Sequence, residues 1–209
     1  SDRMKIITTI LKWFTRLLFI LIIGIGFGFA LNYFNPNNIT IENSEETISK
    51  ESTDIKDNLK PNIVDLMKPP PTSVDETLIE ELIFQSVNEL RAKLSINPVT
   101  RNESLRLAAT VRAIETEESF SHTRPDGTEP FTVLEEPETL YIYSMVGENL
   151  AMATFFKDER HMSHLIFEGW VDSEDHYETM INPEFDEIGI GVHYDGEILY
   201  ATQFFGKPR

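Results

Sequence analysis

From Leu17 to Ala30 the chain runs LLFILIIGIGFGFA without one charged or amide side chain. Trp13 to Phe34 extend that core to a 22-residue apolar stretch broken only by Thr15, Arg16 and Asn32. As a helix rising about 1.5 Å per residue it spans roughly 33 Å, against a bilayer core of about 30 Å. A transmembrane helix is therefore expected. Trp13 and Tyr33 suit the two interfaces, and Arg16 can snorkel. Arg3, Lys5 and Lys12 precede the run, so the positive-inside rule places the N-terminus in the cytoplasm and everything past residue 35 outside. A cleaved signal peptide shares the basic start, but no small-x-small site follows Ala30 and the core is long, which favours a retained anchor. The expected location is the cell membrane, single-pass, with an extracytoplasmic C-terminal domain.

Three regions follow: 1–34 as cytoplasmic N-terminus and anchor, 35–76 as a flexible stem, and 77–209 as the folded domain. The stem is dominated by Ser, Thr, Asn, Glu, Asp and Lys and ends near the stiff spacer Pro69-Pro70-Pro71. Asn38-Ile39-Thr40 and Asn102-Glu103-Ser104 fit the N-glycosylation pattern. The net charge is −17, and the folded region alone carries −15. So acidic a surface repels phosphate backbones, which argues against a nucleic-acid partner. The chain has no cysteine, so disulfides and thiolate ligands are excluded.

Within the folded region, Leu78, Ile79, Leu82, Ile83, Val87, Leu90 and Leu94 follow helical spacing, with Ser73 as a candidate cap. A second helix is expected over about 103–119 and a third over 157–171. Residues 128–146 read as irregular loop with one short strand. Ile188 to Tyr194 read as a strand whose Gly189 and Gly191 allow close approach, Asp195-Gly196 as a hairpin turn, and Ile198 to Phe205 as the partner strand. Helices before strands predict an α+β domain. Gly147-Glu148-Asn149-Leu150-Ala151 reads as a tight turn opening a helix, with Glu148 as the central acid. His122 lies upstream and His176 downstream; two imidazoles and a carboxylate suit metal or acid–base chemistry. His161 and His164, three apart on a helix, read as a solvated face, and Tyr141, Tyr143, Phe155 and Phe156 as core.

The order of these motifs resembles the CAP superfamily of cysteine-rich secretory proteins, antigen 5 and pathogenesis-related proteins, in its disulfide-free prokaryotic SCP-like branch. Asn88-Glu89-Leu90-Arg91, Ala108 to Ala113, Phe120-Ser121-His122, Asp126-Gly127, the Gly147 to Ala151 run, Trp170-x-x-Ser173-x-x-His176, Pro183-x-Phe185, Ile188 to Val192 and Thr202-Gln203-x-Phe205 carry it, over about residues 77–207. The resemblance implies an α–β–α sandwich with a central antiparallel sheet and a concave cavity.

Many eukaryotic members line that cavity with two histidines and two glutamates that can bind a divalent metal. By the resemblance His122 matches the first histidine and Glu148 the glutamate after glycine. The second glutamate is replaced by Ser173 and the second histidine by Tyr200, while His176 restores an imidazole. A His122/Glu148/His176 set follows, with Ser173 and Tyr200 as hydroxyl-bearing neighbours. As a metal centre the set would take zinc; without metal, Glu148 and a histidine would form an acid–base pair with Ser173 as nucleophile. The favoured function is binding a surface polymer, lipid or protein partner. The alternatives are a metal-dependent, protease-like hydrolase and a purely structural network.

Overall fold

The computed structural model describes residues 68–209. The expected membrane helix and the Asn38 motif lie outside the described residues. Among the described residues no helix is long and apolar enough to cross a membrane.

Helix α1, Glu76–Lys93, buries Ile79, Ile83 and Val87 on one stripe. Its cap is Asp75, whose carboxylate accepts the Leu78 N–H at 2.9 Å; Ser73 sits too early for that geometry. The helix ends in a buried arginine. Arg91 donates through Nε to Asn97 O, through Nη1 to Met180 O and Asn182 O, and through Nη2 to Phe185 O, at 2.8–3.1 Å. Strand β1 is only Thr100–Arg101. Asn102 caps α2, Glu103–Glu118, by accepting from Leu105 N–H at 3.1 Å. The second glycosylation motif is thus occupied by a helix cap.

A 3-10 helix at Pro130–Glu135 and then β2, Tyr143–Thr154, replace most of the loop expected over 128–146. Helix α3 is Glu159–Val171, and α4, unforeseen, is Glu174–Ile181. Strands β3, Glu187–Tyr194, and β4, Ile198–Pro208, form the expected hairpin, with Gly196 at φ 101°.

The sheet order is β1-β3-β4-β2. β3, β4 and β2 are antiparallel neighbours, whereas β1 pairs parallel with the start of β3. The sheet is therefore mixed, not antiparallel throughout. The two-residue β1 links α1 to α2 and takes its direction from where α2 must begin. Helices cover both faces. Ile188, Ile190 and Val192 of β3, with Leu199, Ala201 and Phe205 of β4, pack with Ile79, Ile83, Met162, Ile166 and Trp170 of α1 and α3. On the other face α2 lies almost backbone to backbone on β3. A Cβ at Gly189 would fall 2.1 Å from Arg106 N, and one at Gly191 2.1 Å from Thr110 N. The paired glycines serve the close approach that their sequence suggests. Tyr141 and Phe155 are buried, as core packing predicts.

The segment Gly147 to Ala151 departs most from its sequence reading. It neither turns nor opens a helix but runs through the middle of β2, in register with Phe205 to Ala201 of β4. Long antiparallel pairing overrides the helical preference of Leu150, Ala151, Met152 and Ala153. Gly147 has a packing role: a Cβ there would meet the Phe185 ring at 3.1 Å and Thr179 Cγ2 at 3.2 Å.

Candidate functional site

Placing Glu148 and Asn149 on a strand explains how distant segments meet. Consecutive strand residues point to opposite faces. Glu148, opposite Phe204, faces α2; Asn149, opposite Gln203, faces the α3–α4 side. Glu148 Oε1 lies 2.8 Å from His122 Nδ1, which fixes the loop after α2. Asn149 Nδ2 donates to His176 O at 3.1 Å and to Gln203 Oε1 at 3.0 Å, which fixes α4. Both histidine-bearing segments are thereby tied to neighbouring residues of one strand, at the sheet's outer edge.

Glu148 is held by a residue that sequence reasoning passed over. Arg112, fully buried on α2, donates Nε to Glu148 Oε2 at 2.8 Å, Nη1 to Glu115 Oε2 at 2.7 Å and Nη2 to Ser121 O at 2.7 Å. Arg124 Nη2 donates to Glu115 Oε1 at 2.7 Å, and its Nη1 lies 2.8 Å from Glu136. The result is a chain of alternating charge, His122–Glu148–Arg112–Glu115–Arg124–Glu136, clamping α2, the 119–129 loop and β2 together. Burial opposes the Arg112 cation, but its hydrogen bonds to the Glu148 and Glu115 carboxylates outweigh it and raise its pKa. For Glu115 burial is likewise outweighed, by Arg124 and Arg112, and its pKa is lowered. The one available sequence signal was arginine on the small-residue face of α2, beside Ala108, Ala109 and Ala113.

The two histidines differ. The His122 ring is 60% exposed while the Glu148 side chain is 1% exposed. The hydrogen bond to Glu148 raises the His122 pKa above the ordinary value of 6.5. His176 is half-buried and makes no side-chain hydrogen bond among the described residues. Burial lowers its pKa, and the nearby His122 lowers it further. Between the two titrations His122 is the cation and His176 the neutral base.

The linkage signs are therefore opposite. The His122 contribution to stability is complete below about 6.5 and fades as pH rises through its folded value; that of His176 is complete above about 6.5 and fades as pH falls through its lower one. Proton NMR of the imidazole C2–H signals is expected to show His122 titrating above 6.5 and His176 below it. His122→Phe is expected to move His176 back upward. Coincident midpoints near 6.5 would contradict the arrangement.

Ser173 caps α4 through its backbone, accepting Tyr177 N–H at 2.8 Å. Its hydroxyl forms no hydrogen bond to His122, Glu148 or His176. Tyr200 is not a neighbour of the set. It pairs with Met152, four residues along β2 from Glu148, or about 13 Å at strand spacing. There it stacks on His193, whose Nε2 lies 2.7 Å from Glu117. His161 is buried edge-on to Phe156 at 4.7 Å rather than solvated, so it builds no paired-imidazole face with His164.

The set does not fit a divalent ion well. Glu148 is its sole carboxylate, and both oxygens are engaged, one by a buried guanidinium. No group of three or more His, Cys, Asp or Glu is gathered for a metal among the described residues.

Residues 84–205 match the family model described as "CAP: Cysteine-rich secretory protein family". Over 139 residues the chain is 27% identical to Bacillus subtilis (strain 168) "Uncharacterized protein YkwD", covering 66% of this chain and 50% of that one. An extracellular SCP-domain protein from Bacillus anthracis superposes with a TM-score of 0.53 at 22% identity, over 63% of this chain and 41% of that one. An outer surface protein from Borrelia burgdorferi gives 0.55 at 24% identity, over 65% and 97%. The match thus spans half or less of the two Bacillus proteins but nearly all of the Borrelia one.

Proposed function

This chain belongs to the CAP family of cysteine-rich secretory proteins, and from that premise we propose that it is a cell-surface binding module whose recognition cleft is the edge of β2 between His122 and His176. In this proposal the Trp13 to Phe34 stretch anchors the domain on the outer side of the membrane, and residues 35 to about 76 serve as its stem. The domain itself is of the extracellular type.

One observation carries the binding reading. The only acid of the set is spent on holding the 119–129 loop and α2 to β2, with one oxygen on His122 and the other on Arg112. A carboxylate so engaged rigidifies a surface more readily than it shuttles protons, and a pre-ordered surface lowers the ordering cost of binding.

The rival is a hydrolase using His122, Glu148 and His176. What favours it is the opposite displacement of the two histidine pKa values, which is how acid and base roles are divided in a site. Its metal-dependent form has the weaker support, since the donor set fits a divalent ion poorly.

Zinc titration of the full chain by calorimetry, together with an unspecific peptide-hydrolysis assay, separates the two. The binding module is expected to take up no zinc tighter than about millimolar and to release no cleavage product. It is also expected to lose at least tenfold affinity for its surface ligand in His176→Ala, with an unchanged melting temperature. Peptide cleavage that disappears in His122→Ala while the fold survives would overturn it.

A further inference from the structure

We propose that the outer edge of β2 accepts an extended, cationic stretch of a partner polypeptide as an additional strand. The proposal rests on the cleft being a recognition site and names its ligand class.

β2 is an end strand, paired with β4 on one side alone. Two hydrogen bonds identify which main-chain groups face outward. Trp170 Nε1 donates to Leu150 O at 3.0 Å. Asp186 N–H donates to Gly206 O at 3.0 Å, so the carbonyl opposite Val146 turns toward β3 and away from β2. Both place Val146, Glu148 and Leu150 in the alternate set whose N–H and C=O point away from β4. Trp170 covers Leu150. The outward groups of Val146 and Glu148 meet no partner among the described residues. The accessibility of Glu148 agrees: the residue is 9% exposed but its side chain only 1%, so solvent reaches its main chain.

The open stretch is bounded. A register shift between Tyr143 and Met145 disturbs the strand before it, and Trp170 closes it after. Sheets commonly blunt free edges by bulges, charges or coverage, and here those devices stop on either side of Val146 and Glu148. Those two residues offer two donors and two acceptors at the spacing of an added strand. Met145, Ile142 and Leu140 are exposed alongside. The exposed charge on the flanking segments is acidic, beside the His122 ring held on Glu148. Glu174, Asp175 and Glu178 on α4, and Glu138 before β2, are exposed and form no ion pair among the described residues. An extended peptide alternating basic and apolar side chains matches both the main-chain groups and this field.

The test uses the full chain and a capped nine-residue peptide of alternating lysine and valine. Binding is expected by fluorescence anisotropy, with Val146 and Glu148 amides exchanging at least tenfold more slowly in the complex. Replacing lysine by glutamate, or N-methylating every peptide bond, is expected to abolish binding. Val146→Pro removes one outward donor without taking a bond from the β2–β4 ladder, and is expected to weaken binding at least tenfold while leaving the fold intact. Failure to bind, or binding indifferent to N-methylation, would overturn the proposal. So would protection of those amides in a concentration-dependent dimer without peptide, which would give the edge to a second copy. A surface ligand that needs His176 while the Val146 and Glu148 amides exchange freely would overturn the added strand and leave the binding module standing.

Discussion

Arg91→Met is expected to lower stability by about 3–5 kcal/mol, although Arg91 hydrogen-bonds to neither histidine side chain. Arg91 is completely buried, and its hydrogen-bond partners are main-chain carbonyls, of Asn97, Met180, Asn182 and Phe185. They belong to the turn after α1, the end of α4 and the segment entering β3. Helix ends leave carbonyls without intrahelical partners, and a cation there also suits the negative end of the helix dipole. A buried acceptor left unsatisfied costs about 1–3 kcal/mol, and four such losses are offset in part by relaxation and by the methionine filling the apolar volume. Arg91→Lys is expected to recover less than half, because an ammonium cannot reproduce the planar fork. Urea denaturation with an unchanged m value and a lowered midpoint checks the claim. A loss below about 1 kcal/mol would mean that water replaces the guanidinium.

That role shows what a sequence discloses and what it withholds. The stripe Ile79, Ile83, Val87 and the hairpin around Gly196 were legible because each depends on local spacing or turn chemistry. Gly189 and Gly191 were legible as close approaches, though not their partners. The assignment of Gly147 to Ala151 failed because nothing local to it specifies a strand: eleven pairings with β4 decide its state, and those residues lie some fifty positions away. The same non-locality hid the Glu148–Arg112 contact. His122 and Glu148 meet at 2.8 Å, whereas Tyr200, matched by motif alone, pairs with Met152, four residues along β2 from Glu148. Arg91 stood in the Asn88 to Arg91 motif and Arg112 on the small-residue face of α2, with no role assigned to either. Only three-dimensional packing reveals that both are fully buried.

Arg112→Met is expected to cost about 3–5 kcal/mol as well, for a different reason. Arg91 satisfies neutral carbonyls; Arg112 compensates a charge. Without it Glu148 stays almost wholly buried, with the exposed His122 ring as its remaining partner. Breaking a buried ion pair from one side leaves an uncompensated charge, which is the costly event. Removing both charges is much less so, and Arg112→Met/Glu148→Leu is expected to regain at least half of the loss. That non-additivity is measurable by a double-mutant cycle. A readout beyond stability comes from His122. Arg112 lowers the His122 pKa, while the hydrogen bond to Glu148 raises it. The NMR midpoint of His122 is therefore expected to move up in Arg112→Met and down in Glu148→Gln. Additive energies with an unmoved His122 midpoint would show the two side chains to be independent, and the charge chain across the cleft would then be geometry without coupling.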